Sequence, residues 1–375
     1  MLQTLRKPVK GWSLGMGRSG MKFVNVTDRN FEEIFEVSAK FEQWEYVKHH
    51  IFDMVNNYVA VINEAYLPIP FLVYDNERLI GFVQVNYTQE NRSFEICKLI
   101  VQGAEQGRGY GMGIVSELIC WVFAVFGQGT MTAAYKASNL AADRLFSKAG
   151  FSKMVSGEEA AAVMEIGQCS SRMPESDFDE IPYKSVSEFV SRIKALQKFP
   201  ENQIGEEEGI HFQKVNMDDC RQIIEMHLLE SQEEYVMPFV DSLAESYSDL
   251  FEDKITVTYE LHNGEKPVGL VELCYGEGDE FPDLKGKPVY ELFRILVDRE
   301  YQKAGYGTKA VRLFLDYVSR KPLGEADDIV VSVVEGNDVA LKLYERFGFQ
   351  VFGRDKYGHI ALRRSLTALP GRADL

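Results

Sequence analysis

One loop pattern occurs twice in this chain, and it limits what either half can be. Residues 95–111 read EICKLIVQGAEQGRGYG and residues 291–307 read ELFRILVDREYQKAGYG. In each copy a short apolar run, of the kind a buried strand makes, passes through a polar turn into Gln-x-x-Gly-x-Gly. An amphipathic helix follows each loop, from Met112 to about Phe126 and from Thr308 to Ser319. Glycines at the mouth of a helix let backbone approach a ligand, and the exposed N–H groups there attract phosphate oxygens. A Rossmann loop wants GxGxxG in register and a P-loop wants GxxxxGK[ST]; QGRGYGMGIVS supplies neither.

The duplication runs well beyond the loop. ERLIGFVQVNY at Glu77 aligns without a gap with EKPVGLVELCY at Glu265, and NLAADRLFSKAGF at Asn139 with NDVALKLYERFGF at Asn337. Each copy reads in one order: a first strand at Lys22 or His211, helical segments, a hairpin turning at Asp75-Asn76 or Asn263-Gly264, then strand, loop, helix, strand, helix, strand. Repeats of this length are duplicated domains, here residues 21–168 and 209–368. Residues 169–208, with Pro174, Pro182, Pro200 and several acids, read as a linker carrying one helix from Ser185 to Leu196. Residues 1–20 form an N-terminal extension without the apolar centre of a signal peptide, and 369–375 a tail. Met21 is a second plausible start, because patterned sequence begins there.

At 375 residues each half is long enough to bury its own core. A formal charge of −16 speaks against nucleic acid and for a cationic partner, although acidity also serves solubility. No apolar run approaches the roughly twenty residues of a membrane helix. Five scattered cysteines without CxxC and six histidines without HExxH suggest reduced thiols in the cytoplasm and no metal site.

With these motifs the chain resembles the GCN5-related N-acetyltransferases, which move acetyl from acetyl-CoA to an amine. The resemblance spans nearly all of both halves and rests on Gln302–Gly307 and Asn337–Phe349, with their counterparts Gln106–Gly111 and Asn139–Phe151. It implies two tandem α/β (α+β) domains, each a mixed, mostly antiparallel twisted sheet flanked by helices. It implies that Leu296, Val297, Gln302, Lys303, Ala304, Gly305, Tyr306 and Gly307 bind the cofactor, with Asn337 holding its arm. Gln106, Arg108, Gly109, Gly111 and Asn139 are the equivalent set in the first half.

An ammonium must shed a proton before its nitrogen attacks a thioester, and the departing thiolate needs a donor. Family members carry the base at the position of Glu291 or two residues later, which here is Phe293. Glu291 is therefore the leading base, against a plainer reading as a strand-edge charge or ion pair. Tyr344 stands where the thiolate's acid is found. The first half has Phe146 there, and a phenyl ring cannot protonate a thiolate; that half reads as catalytically degenerate. The second half resembles bacterial diamine and polyamine acetyltransferases, which makes Glu233, Glu234, Asp241 and Glu245 candidate contacts for a small cationic amine. An aminoglycoside or protein amine suits an acidic cleft equally, and a CoA-binding sensor or scaffold is the non-enzymatic alternative. The two halves could form an internal pseudo-dimer, or the chain a homodimer.

Overall fold

The computed structural model describes residues 20–26, 30–40, 50–63, 65–167, 177–178, 203–216, 219–249 and 254–366. One strand order is built twice. The first sheet contains β1 (Met21–Asn25), β2 (Leu67–Asp75), β3 (Arg78–Thr88), β4 (Ser93–Val101), β5 (Gly129–Lys136), β6 (Ser152–Ser156), β7 (Glu159–Ile166) and β8 (Asp177–Phe178). They lie in the order β6-β7-β5-β4-β3-β2-β1-β8, parallel at β4–β5 and β1–β8 and antiparallel elsewhere. The second contains β9 (Gln203–Glu207), β10 (Ile210–Lys214), β11 (Ile255–Asn263), β12 (Lys266–Glu277), β13 (Pro288–Val297), β14 (Asp328–Val333), β15 (Gln350–Arg354) and β16 (Ile360–Ser365). Their order is β15-β16-β14-β13-β12-β11-β10-β9, with β13–β14 the parallel pair. The α-helices among the described residues are α1 (His50–Ile62), α2 (Tyr110–Phe126), α3 (Leu140–Lys148), α4 (Cys220–Ile224), α5 (Phe239–Asp249), α6 (Tyr306–Ser319) and α7 (Asp338–Arg346). This is the mixed, mostly antiparallel α/β architecture expected from the motifs.

Local chemistry explains the main features. Both hairpins turn where the sequence places them, with Asn76 at φ 57° and Gly264 at φ 60°, a backbone region open to glycine and tolerated by asparagine. Along β11, Val257, Tyr259 and Leu261 enter an apolar core with Val311, Phe314 and Leu315 of α6. The alternate residues Thr256, Thr258, Glu260 and His262 are buried on the opposite face. The second sheet is thus covered on both sides, apolar on one and polar on the other.

Three segments depart from the sequence reading. Two short strands, β8 and β9, fall within the stretch read as linker, while its helix at 185–196 lies outside the described residues, as do residues 1–19 and the 369–375 tail. The sequence also reads as helical over Glu233–Tyr247, but α5 begins only at Phe239, just after Pro238, which suits the start of a helix and not its interior. Residues 51–63, which follow β1 and precede β2, pack with the second compact unit.

That last assignment has specific bonds. The Tyr58 hydroxyl, fully buried on α1, accepts the backbone N–H of Thr258 at 2.8 Å. Asn63 Nδ2 donates to the Val215 carbonyl at 3.0 Å. Pairing of β10 with β11 stops at Lys214 opposite Tyr259, so Thr258 lies just past the end of β10. The aligned residue of β2 is Pro70, which has no N–H to satisfy. Tyr58→Phe strands a buried donor and should cost about 1–3 kcal/mol, read as a lower urea midpoint for the second unit. An unchanged midpoint would mean that Thr258 N–H finds another acceptor.

Candidate active site

The central strands of each unit separate after a short contact. β13 and β14 pair over Val289–Glu291 against Asp328–Val330, and β13 then continues along β12 alone. The first unit repeats this with Ser93–Glu95 against Thr130–Thr132. Phe293 is the extra residue of a bulge between the Leu273–Leu292 and Glu272–Arg294 pairs, and bulges bend and twist a strand. Cys97 occupies the same place in the first unit. Beyond the bulge the Asp298 N–H bonds to the Val268 carbonyl at 3.0 Å. The Leu296 carbonyl lies so close to Gly269 that a Cβ there would meet it at 2.2 Å. Asp298 and Leu296 therefore face β12, and alternation turns the backbone groups of Ile295 and Val297 into the opening. Sequence reasoning singled out Leu296 and missed Ile295; the aligned glycines Gly81 and Gly269 were the available signal.

The glycine loop closes one end of this fork. Gly305 precedes α6 at φ 85°, and Lys303 also has positive φ, 65°. The N–H groups of residues 303–308 donate to no carbonyl among the described residues; the helix's first bond runs from Lys309 to the Gly305 carbonyl. A group of unsatisfied amides at the positive end of a helix is an anion site. Gln302 braces the loop: its Nε2 donates to the Val297 carbonyl at 2.9 Å and to Gln232 Oε1 at 2.8 Å. Its counterpart Gln106 reaches the Val101 carbonyl at 3.0 Å. Arg108 is tied to buried Glu105 at 3.0 Å. The Tyr306 hydroxyl accepts from Asn263 Nδ2 at 3.0 Å, and Tyr110 donates to Asp75, so both rings anchor their loops to a hairpin turn. Gly109 takes the place of Gly305 before α2, at φ 88°; Ala304, Gly307 and Gly111 lie in the same two loops.

Glu291 occupies the last paired position before the strands part, and it is 2% exposed. Lys254 Nζ donates to its Oε2 at 3.2 Å and also lies 3.3 Å from Glu280. Burial pushes the Glu291 carboxyl up to about 7, against the pull of Lys254. Nothing in the sequence marked Lys254. Tyr344, on α7, packs in the same core as Leu292 and Phe349. Burial alone holds its phenol above the ordinary range, so it stays protonated at neutral pH. Asn337 accepts the Ala340 N–H through Oδ1 at 3.1 Å, as Asn139 does from Ala142, so each caps a helix and keeps only its amide N–H₂ for a ligand. Phe146 lies stacked on Tyr135, ring centroids 5.7 Å apart.

The four acidic candidates do not form one patch of free charge. Glu245 is bound by Arg294 at 2.9 Å, and Arg294 also holds fully buried Glu272 at 3.1 Å. Asp241 is half-buried, its carboxyl raised by burial and by Glu245. Glu233 and Glu234 are exposed on the turn that follows Gln232. The neighbouring Tyr235 hydroxyl lies close enough to Gly336 that a Cβ there would meet it at 3.4 Å. Residues 232–235 thus run between the glycine loop and the start of α7.

A profile of the acetyltransferase (GNAT) family matches residues 31–151 and, a second time, 221–349. The chain belongs to that family. GNAT enzymes are acetyl-CoA-dependent N-acetyltransferases, and the fork with its amide-lined loop fits the cofactor: anionic pyrophosphate at the loop, an extended arm along Ile295 and Val297. Among curated relatives, a probable spermine N(1)-acetyltransferase of Bacillus subtilis subsp. natto (strain BEST195) is 30% identical over 160 residues, 39% of this chain and 90% of that protein. The spermine/spermidine N(1)-acetyltransferase of Bacillus subtilis (strain 168) matches to the same extent. A crystal structure of spermidine N-acetyltransferase from Vibrio cholerae in complex with CoA and spermine aligns at 15% identity and TM-score 0.32, covering 39% of this chain and 95% of that one. No helix among the described residues is long and apolar enough to cross a membrane.

At Gly305 an added Cβ would meet nothing within 4 Å, so Gly305→Ala isolates the conformational cost of positive φ. That cost is about 1–2 kcal/mol, and we expect a raised KM for acetyl-CoA with folding retained. An unchanged KM would remove the loop from cofactor binding.

Proposed function

We propose that the second unit transfers acetyl from acetyl-CoA to a primary amine of a polyamine or similar small cationic amine. Glu291 is the base in this reading and Tyr344 the acid. The observation that carries it is a carboxyl buried at the parting of β13 and β14 and raised to about 7, which suits proton uptake near neutral pH. When bound, acetyl-CoA supplies a thioester with an electrophilic carbonyl carbon and a thiolate leaving group. Glu291 takes the proton that the ammonium must lose before its nitrogen can bond to that carbon. The Tyr344 O–H gives a proton to the sulfur as the C–S bond breaks, and burial keeps that hydroxyl neutral until then. Ile295 and Val297 present backbone groups to the arm, and the amides of residues 303–308 receive the pyrophosphate.

The acceptor is assigned from charge and from the relatives. The chain carries −16 overall, Glu233 and Glu234 lie in the 232–235 segment, and neither they nor Asp241 on α5 has an Arg or Lys bonded to it among the described residues. Glu245 is neutralised by Arg294 and is better read as holding the site's wall than as holding the amine. Phe146 gives the first unit no proton to donate, which supports a structural or regulatory role for that half.

The test is thiol release from acetyl-CoA with spermidine, spermine, putrescine, kanamycin and a lysine peptide. Turnover should appear with a polyamine and rise with pH through about 7 as Glu291 loses its proton. Glu291→Gln should flatten that limb, and it and Tyr344→Phe should each lower kcat about a hundredfold or more. Full activity of Tyr344→Phe would move the chemistry out of the second unit. Binding of CoA without turnover on any amine would favour a sensor or scaffold.

A further inference from the structure

The polar face of the second sheet holds a cluster that the proposed acetyl transfer does not use. Asp219, Glu260 and His262 bring one ligand atom each to within 4.8 Å of one another. Glu260 and His262 are two apart on β11 and so share a face, and Asp219 immediately precedes α4. His262 Nε2 lies 2.9 Å from Glu260 Oε2. Around a tetrahedral zinc(II) with bonds of about 2.1 Å, neighbouring ligand atoms stand about 3.4 Å apart, between the 2.9 Å and 4.8 Å found here.

A buried cluster of acids calls for a further observation, and Glu260 provides it. The residue is 0% exposed; His262 meets Oε2 and the Asn216 backbone approaches the carboxylate, while the second oxygen, Oε1, has no hydrogen-bond partner among the described residues. An unmet carboxylate oxygen in the interior is costly unless a cation or proton meets it. No Lys or Arg pairs with either carboxylate among the described residues; Asp219 Oδ2 accepts only from Asn216 Nδ2, at 2.7 Å. Nor does the Asp219 side chain cap α4, the usual employment of an aspartate at that position. Asp219 and His262 also line a cavity of about 440 Å³ together with His211, Gln213 and Glu265. A small cation therefore has a path in and room for waters of its own. The His211 ring, opposite His262 on β10, is 5.4 Å from it and can add a second imidazole.

We propose that Asp219, Glu260 and His262 form a binding site for one divalent first-row transition metal ion, zinc(II) being the probe of choice. Two carboxylates with imidazole favour such an ion over calcium or magnesium, which take oxygen ligands. The ion pins the segment that starts α4 to the C-terminal end of β11 and acts structurally. No metal motif is legible because one ligand is forty-one residues from the next and the other two are spaced for a strand.

The experiment titrates the metal-free full-length chain with zinc(II), by calorimetry and by thermal unfolding, alongside Asp219→Asn and Glu260→Gln. Asp219 is only half-buried, so its variant should stay folded, as circular dichroism will show. We expect one saturable equivalent, a higher unfolding temperature with metal, and at least tenfold weaker binding in each variant. Loss of the unfolding shift in a folded Asp219→Asn chain is a readout that does not depend on acetyl transfer. Absence of saturable binding at 100 µM metal overturns the proposal, as does affinity unchanged in both variants. Spermidine binding that Asp219→Asn weakens, with zinc(II) binding unaffected, also overturns it and gives the site to an organic cation.

Discussion

Everything in the second unit that concerns the cofactor follows from one interruption in strand pairing. β13 holds β14 for three residues and then stays with β12 alone. Continued pairing would consume the backbone groups of Ile295 and Val297. Because it stops, the Ile295 groups and the Val297 N–H are left to the opening while Gln302 takes the Val297 carbonyl, the loop at 302–307 stands at its end, and Glu291 marks the point of separation. The bulge at Phe293 is the local device, and the close approach of Gly269 to Leu296 is the packing that keeps β12 attached. A side chain in place of Gly269 would drive the two strands apart on the wrong side.

The rest of the site is assembled by buried polar contacts. Gln302 joins the cofactor loop to the 232–235 segment, Lys254 holds Glu291 and Glu280, and Arg294 holds Glu245 and Glu272. Each places a full or partial charge where desolvation penalises it, and each is matched by a partner, as buried polar groups require. Asp219–Glu260–His262 differs in leaving one oxygen unmatched.

The features legible in the sequence are those with local causes. Positive φ at Gly305 and Gly264, the capping asparagines Asn139 and Asn337, and strand alternation all write themselves into neighbouring residues. Duplication doubled that signal and made the fold class plain. What stayed hidden depends on distant partners. Glu245 looked like a free charge because nothing nearby in sequence announces Arg294. The cap that Asn337 makes on the Ala340 N–H lies within its own helix start and leaves the amide N–H₂ for the role read from the motif. Gln302 and Tyr306 belong to a family motif, yet their side chains here brace the loop. The second unit's use of α1 was invisible because the helix sits in sequence order where the first unit's own helix belongs.

That use of α1 bears on how the chain folds as it is made. Tyr58 and Thr258 are 200 residues apart. At a synthesis rate of about 5–20 residues per second, α1 leaves the ribosome roughly 10–40 s before the strand it serves. During that interval Met54, Val55, Tyr58 and Val59, all buried in the finished protein, have no second unit to cover them. The nascent chain therefore passes through a stage in which the first sheet can be complete while α1, made between β1 and β2, waits for sequence not yet translated.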